Sequence, residues 1–519
     1  MEWSEGLERL NQIGALLSTE RDFDRLLEAI LVGAKELTGA DAGTLYVVDE
    51  DRWARFAIVR TDSLKIAWGG AGIAAPPWPP VSLYDPQGKP RDQFVVNHAI
   101  LHRKTINIGD AYEPTGFDFS GTRAFDIQTG YRSTSFLTIP LVNHEDVVIG
   151  VLQLINRMES GTRKIVPFSE EDQRLAESLA SQAAIAMTNR RLIDDLSQML
   201  EGFIESIARA IDAKSPYTGE HCHRVPVIAV MLAEALNENR EGALALVHLS
   251  DDEIYELKLA ALLHDCGKVT TPVHVVDKAT KLEVLTDRID AIDVRFEIVR
   301  RDKLLGRAGP VVPDAAWEQE MLEDQAFLHR CNIGGETMSP EDQERVRQMA
   351  TKYQWQDASG KIHPFLLPDE IYNLTIAKGT LTPEERQVIN SHVSMTFEML
   401  KDLRYPKRLQ QIPEIAASHH ERMDGKGYPR GLTGDQMSLQ ARMVAIADVF
   451  EALTSPNRPY KKAMPLSQTL RIMDAMAREG HIDPSLYDIF IRKKVWARFA
   501  HDYLPLEQVD VPTEAPVTG

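Results

Sequence analysis

The sequence predicts a multidomain protein. An α+β domain occupies residues 1–168, a long connecting helix 169–213, and an all-α domain 214–508 with an insertion at about 279–367; a short tail, 509–519, follows. Three observations carry this reading. The first third mixes helical and strand-like apolar spacing. The stretch from Ser169 to Asp212 has no proline and a single glycine, Gly202. Beyond Tyr217 the apolar periods are helical almost throughout, and 519 residues are too many for one core.

In the first domain, Leu7, Leu10, Ile13 and Leu17 recur at helical spacing, as do Leu27, Ile30, Leu31, Ala34 and Leu37. Strands are expected at Thr44–Val48, Ala54–Val59, Phe136–Val142 and Val147–Ile155. Ser169-Glu170-Glu171-Asp172 is a capping-box pattern that starts a helix. Leu175, Leu179, Ala186, Ile193, Leu196, Leu200, Phe203 and Ile207 then form a seam interrupted by Gln182 and Asn189. Such a seam predicts a homodimer through the connecting helix, isolated polar residues fixing its register. The simpler alternative is one amphipathic helix packed on its own chain. In the last domain, Leu282–Arg301 is the best helix within the insertion, and Val511–Gly519 is expected to fray.

Composition excludes several classes. The charge balance, 58 − 77 = −19, disfavours binding of nucleic-acid polymers. No run of eighteen apolar residues predicts a membrane span, and the acidic start Met1–Glu5 lacks a signal-peptide pattern, so a cytoplasmic protein is expected. Cys222, Cys266 and Cys331 show no CxxC spacing, which argues against a disulfide framework or a cysteine-ligated zinc.

Histidine is the informative residue. His264-Asp265 ends an apolar helical run, Leu262-Leu263, and pairs a neutral nitrogen ligand with a carboxylate able to bridge two metals. Alone it is weak, but partners occur in order: His221, His392, His419-His420, and Asp448 within Ala445–Phe450. A free carboxylate buried in that last run would be costly. Five imidazoles and two carboxylates suit a two-metal site for divalent ions such as Fe or Mn. Cys222, His223 and Cys266 flank these residues and read as packing groups, while His248, His274, His329 and His363 lie outside the pattern.

His264-Asp265-x-Gly267-Lys268, His419-His420-Glu421-x-x-Asp424-Gly425-x-Gly427-Tyr428-Pro429 and Arg458-Pro459-Tyr460-Lys461 together resemble the HD-GYP phosphodiesterases, a branch of the HD superfamily, in members with an N-terminal GAF domain. The resemblance implies His221, His264 and Asp448 on one metal, His392, His419 and His420 on the other, and Asp265 bridging as a catalytic residue. It implies that Lys268, Arg458 and Lys461 meet the phosphate oxygens and that Gly427-Tyr428-Pro429 walls the substrate. The family reaction is hydrolysis of cyclic di-GMP to pGpG, often onward to GMP. Three departures stand out. Tyr217 replaces a glutamate that supports a third metal in some relatives. The insertion widens the gap from Asp265 to His392. Phe450-Glu451 replaces a tyrosine-aspartate pair, a change expected to tune substrate contacts.

Phe125-Asp126-x-x-Thr129-Gly130-Tyr131-Arg132-Ser133 and Gly150–Asn156 resemble GAF domains of cyclic-nucleotide phosphodiesterases and cyclases. Their Asn-Lys-Phe-Asp-Glu signature appears as Asn156, Arg157, Phe168, Asp172 and Gln173, differing at two positions and implying support of the fold more than ligand contact. A cyclic nucleotide in this domain and a purely scaffolding domain are both open. Rival functions are a cyclic di-GMP-binding module without hydrolysis, a hydrolase of another cyclic dinucleotide, and a di-iron oxidative centre; Arg458 and Lys461 speak against the last.

Overall fold

The computed structural model describes residues 3–49, 52–71, 74–159, 161–162, 164–214, 220–305, 315–335, 337–455 and 464–511. It divides into two compact units, Met1–Met199 and Leu200–Gly519.

The first unit opens with helices α1 (Trp3–Thr19) and α2 (Phe23–Thr38). Asp22 caps α2 by accepting from the Arg25 N–H at 2.8 Å, and Gly39 ends it in the left-handed conformation, φ 67°. Strands β1 (Ala40–Val48), β2 (Trp53–Thr61), β3 (Ile66–Trp68) and β4 (Val81–Ser82) follow. Then come α3 (Val95–His102), β5 (Ile106–Ile108), α4 (Ser120–Thr129), β6 (Phe136–Val142), β7 (Val148–Met158) and β8 (Ile165–Val166). The sheet runs β3-β2-β1-β7-β6-β5, all pairs antiparallel, with β4 on β2 and β8 on β7.

Period-2 alternation sends neighbouring residues of one strand to opposite faces. Leu45 and Leu152 thus join α1, α2 and the start of the long helix in one core, with Leu10, Ile30, Leu31, Leu175, Leu179 and Ala183. Their neighbours Tyr46 and Val151 join Val96 and Ile100 of α3 in another. The four strands expected from sequence are present; the short β3, β4 and β5 and the helices α3 and α4 lack a periodic signal long enough to read.

Helix α5 (Glu170–Lys214) is continuous over 45 residues. Ser169 and Asp172 form the expected cap: the Asp172 N–H donates to Ser169 Oγ at 3.1 Å, and Ser169 N–H and hydroxyl both donate to Asp172 at 2.7 Å. Leu175 and Leu179, assigned from sequence to the seam, are buried in the core of the first unit instead, because the sheet offers them an apolar face. Ile204, Ala208 and Ile211 are buried in the second unit. Between these ends an apolar stripe stands exposed: Leu192 54%, Leu196 59%, Met199 55% and Phe203 62%.

The second unit is helical: α6 (His221–Asn237), α7 (Asp251–Leu263), α8 (Val273–Val276), α9 (Ile289–Leu304), α10 (Ala315–Asn332), α11 (Pro340–Lys352). A hairpin of β9 (Gln354–Gln356) and β10 (Ile362–Pro364) leads to α12 (Pro368–Leu374). The chain ends through α13 (Pro383–Leu400), α14 (Ile412–Ala416), α15 (Leu439–Thr454), α16 (Leu466–Arg478), α17 (Pro484–Arg492) and α18 (Val495–Tyr503). One core joins α6, α7 and α14 to α18. The insertion has its own core, from Leu282 to Leu374, centred on Phe296 and Phe365 with ring centroids 4.6 Å apart. Its first helix starts at Ile289, later than the sequence period suggests, because Asn332 holds the preceding turn through the Leu282 N–H and Asp287. Buried Lys278 and Lys281 tie its flanks together, Lys278 to Glu385 at 2.8 Å and Lys281 to the Ile376 carbonyl at 2.8 Å. Among the described residues no helix is long and apolar enough to cross a membrane.

Candidate metal centre

A full capping box at Ser250 and Glu253 starts α7, and its apolar run delivers His264 at the C-cap. Asp265 then opens a 3-10 turn, Cys266–Thr270. That turn lies directly on α13: a Cβ on Gly267 would sit 2.0 Å from the His392 carbonyl oxygen, so glycine is required for this approach. Thr396 fastens the contact, accepting from the Gly267 N–H at 3.0 Å and donating to the His264 carbonyl at 3.1 Å. His221 is the first residue of α6, His419 and His420 follow α14, and Asp448 lies mid-way along α15. All seven predicted metal ligands converge.

The carboxylate of Asp265 divides them. Its Oδ2 is 3.3 Å from the Nε2 atoms of both His221 and His264. Its Oδ1 is 3.3 Å from His392 Nε2 and 3.9 Å from His419 Nε2. Asp448 adds Oδ1 at 3.4 Å from His221 Nε2, while its Oδ2 is 4.0 Å from His420 Nδ1. Two groups of potential donors therefore share one carboxylate.

The rings are held in a ligand-ready tautomer. His264, His392 and His419 each donate Nδ1–H to the carbonyl three residues earlier, those of Ala261, Ile389 and Ala416, leaving Nε2 with its lone pair. The Nε2 atoms of His221 and His264 stand 3.2 Å apart, a spacing that two bare lone pairs tolerate only around a proton or cation. Asp265 Oδ1 and the Nε2 atoms of His392 and His419 are buried without a hydrogen bond. Burying such atoms unpaired is costly, and a divalent cation satisfies them, so the donor set fits metal ions.

Electrostatics favour the same state. Burial, and then the neighbouring His420, hold His419 far below the usual imidazole range. Burial lowers His420 to about 4, so both rings are neutral and able to coordinate. Burial opposes charge on Asp265, but Lys268 and His264 outweigh it and keep the carboxylate ionised. His221 is the exception: burial opposes its charge, but Asp265 and Glu451 outweigh this and raise it to about 10, so a metal ion would have to displace its proton.

Two residues here were not read from sequence as site residues in this sense. Glu451 is buried and 2.5 Å from His221 Nδ1. It orients the His221 ring, a contact that its place in the Phe450-Glu451 substitution did not suggest. Its signal was present: it lies one turn after Asp448 on the same helix face. Buried Glu421 accepts from the N–H groups of Arg430 and Leu432, both at 2.8 Å, and so anchors the segment holding Gly427, Tyr428 and Pro429.

A Cβ on Gly427 would meet Arg422 N and Glu421 Cα at 2.5 Å, so only glycine lets the chain fold back there. Tyr428 thereby lays its ring 4.8 Å from that of His420. Lys268 Nζ is 2.5 Å from Asp265 Oδ2. Arg458, Lys461 and Tyr217 lie outside the described residues.

In the first unit, a cavity of about 350 Å³ is lined by Trp78, Phe56, Phe125 and Tyr131, with Thr44, Thr61, Ser133 and Gln153 among its polar groups. Among the described residues no lysine or arginine lines it. The five signature residues from Asn156 to Gln173 are not in the lining. They brace the fold instead: the Thr134 N–H donates to Asn156 Oδ1 at 2.7 Å, and Arg157 pairs with Asp172 at 2.5 Å.

Comparison with known proteins fits this architecture. A GAF domain model matches residues 22–187, one HD domain model residues 218–349 and a second residues 358–486. A 3'3'-cGAMP-specific phosphodiesterase of Vibrio cholerae serotype O1 is 35% identical over 30% of this chain and 32% of its own length. A cyclic di-GMP phosphodiesterase of Pseudomonas aeruginosa is 39% identical over 24% of this chain and 28% of its own. The cyclic di-GMP phosphodiesterase response regulator of Xanthomonas campestris pv. campestris is 37% identical over 32% and 42%. The matches thus span less than half the length of these relatives.

Proposed function

We infer that this chain, built of a GAF domain and an HD domain, is a metal-dependent phosphodiesterase that hydrolyses cyclic di-GMP to pGpG or GMP. The observation that carries the reading is Asp265, whose two oxygens face two separate groups of imidazoles with free nitrogen lone pairs. His221, His264, Asp265 and Asp448 would hold one divalent ion, and Asp265, His392, His419 and His420 the other, Fe or Mn by the chemistry of the donors. Such ions supply Lewis acidity and neutralise charge developing on a phosphoryl group.

The protein's own residues do the rest. Glu451 and the carbonyls of Ala261, Ile389 and Ala416 fix the imidazoles. Lys268 places an ammonium beside Asp265, where it can also meet a phosphate oxygen. Tyr428, held by the Glu421-anchored turn, offers a ring against which a guanine packs. Gly427 and Pro429 shape that wall; the family resemblance assigns Arg458 and Lys461, which lie outside the described residues, to the phosphate oxygens.

Hydrolysis of a mixed cyclic dinucleotide is the second reading, supported by the relative named for 3'3'-cGAMP. A binding module without hydrolysis is disfavoured by the complete donor set. In the GAF domain the flat aromatic walls and hydroxyl groups suit the heterocycle of a cyclic nucleotide, which would regulate the enzyme. The exposed stripe Leu192, Leu196, Met199, Phe203 steps 4, 3 and 4 residues, the spacing of a coiled coil, and supports a homodimer through α5. The three cysteines are unpaired and buried, in keeping with a cytoplasmic protein.

The test is turnover. Protein purified anaerobically with Fe or Mn is assayed on cyclic di-GMP and 3'3'-cGAMP side by side, with His264→Ala as control. We expect pGpG or GMP from the wild type alone. Hydrolysis of 3'3'-cGAMP only would move the substrate to the second reading, and no product from either would leave the binding module.

A further inference from the structure

A second cluster of metal-type donors lies in the GAF domain, on residues to which none of the preceding chemistry assigns a part. His98 and His102 stand one turn apart on α3, their ring centroids 4.2 Å from each other. Asp92, just before the helix, brings Oδ2 to 3.8 Å from His102 Nε2. One donor atom from each of the three lies within 4.8 Å of the others. We propose that Asp92, His98 and His102 form a binding site for a borderline divalent transition metal such as Zn(II), separate from the HD centre, that braces the wall of the GAF cavity.

The chemistry of the donors selects the metal. Two imidazoles and a carboxylate form a three-ligand set that zinc accepts with water in the fourth position. Histidines four residues apart on a helix face the same side, so helix formation has already spent most of the entropy of bringing them together. The third donor is also fixed at its backbone. The Arg91 N–H donates to the Leu83 carbonyl at 2.9 Å, and the Gln93 carbonyl accepts from Asp118 N–H at 2.8 Å. Ligand atoms in a tetrahedral zinc site sit roughly 3.3 Å apart, as bonds of about 2.0 Å require. Asp92 and His102 are exposed enough for their side chains to close the remaining gap by rotation.

The position gives the site a consequence. The residues between the donors, Phe94, Val95 and Val96, line the cavity, as do Asp118 and Phe119. Phe117 packs edge-on against His98 with centroids 5.2 Å apart. An ion joining Asp92 to His98 and His102 cross-links the chain on both sides of that wall and holds its backbone in place.

The experiment is metal analysis of the full-length protein equilibrated with Zn(II) and freed of loosely held ion. Wild type is compared with His98→Ala/His102→Ala and, as a milder change, Asp92→Asn. The HD centre is common to all three, so the difference isolates this site. We expect one more zinc per chain in the wild type than in the double variant, and binding weakened by on the order of tenfold or more in Asp92→Asn, at least the loss seen on removing an outer metal partner. Equal zinc content in wild type and double variant would overturn the site. Unchanged affinity in Asp92→Asn would overturn the three-ligand assignment.

Discussion

In the HD domain, His264 is fully buried and Asp265, His392 and His419 are no more than 3% exposed, each with a polar atom aimed at a common centre. In the GAF cavity the walls are Trp78, Phe56 and Phe125, and the polar groups between them are mostly hydroxyls and an amide. The first region concentrates buried lone pairs that a cation would satisfy. The second offers apolar area, a few neutral partners and one carboxylate, Asp118, the pattern of a small-molecule pocket. Rigidity follows the same division. The metal donors are fixed by backbone carbonyls and by Thr396, whereas the cavity borders short elements such as α3 and α4. The two regions thus make opposite use of polar groups within one chain.

This contrast can be broken at either end. The largest effect is expected at Asp265. Asp265→Ala removes the shared carboxylate, and turnover should fall by more than the roughly 10–100-fold that loss of an outer partner costs. Metal content and activity measured on one sample check this. Next is Glu451→Gln, which keeps the shape but weakens the hold on His221 Nδ1; metal affinity should drop about 10–100-fold in a competition titration. If Glu451 instead touched substrate, KM would move and metal affinity would not.

Phe125→Ala sharpens the other side. It should weaken cyclic-nucleotide binding in the GAF cavity about tenfold, the scale of one lost aromatic contact. Calorimetry would read it, with metal content unchanged.

The smallest effect concerns pH and the insertion. Burial pushes the Asp324 carboxyl up, but Lys352, Arg345 and Tyr353 outweigh it and hold it below the usual range. Its stabilisation is therefore present above the unfolded carboxylate pKa, about 3.9, and is lost as pH falls through the lower folded value. Asp324→Asn should cost about 1–3 kcal/mol near neutrality and flatten the acid side of the denaturation profile.

The clustering of the seven candidate metal donors was legible because imidazoles and carboxylates inside apolar helical runs demand a partner, and their order along the chain supplied one. Their division into two groups around Asp265 came from the family resemblance and not from spacing, and which carboxylate oxygen faces which ring is visible only in the fold. Glu451 shows the same limit: its spacing from Asp448 marks a shared helix face but not the ring it holds. The four main strands carried clear alternation, while β3, β4 and β5 have only two or three residues each. His98 and His102 became meaningful only once α3 set them one turn apart. The seam of α5 was half legible, since periodicity cannot tell a core face from a free one. Leu175 and Leu196 fit the same pattern, yet one is buried and the other exposed.

Titration of the metal-free His98→Ala/His102→Ala variant, which lacks the proposed GAF site, with Mn(II), with cyclic di-GMP hydrolysis followed at each addition, tests the central claim most directly. A centre bridged by Asp265 predicts little turnover at the first equivalent, a plateau at the second, and none at any loading for Asp265→Ala. Full turnover at one equivalent, or undiminished turnover in Asp265→Ala, would contradict it.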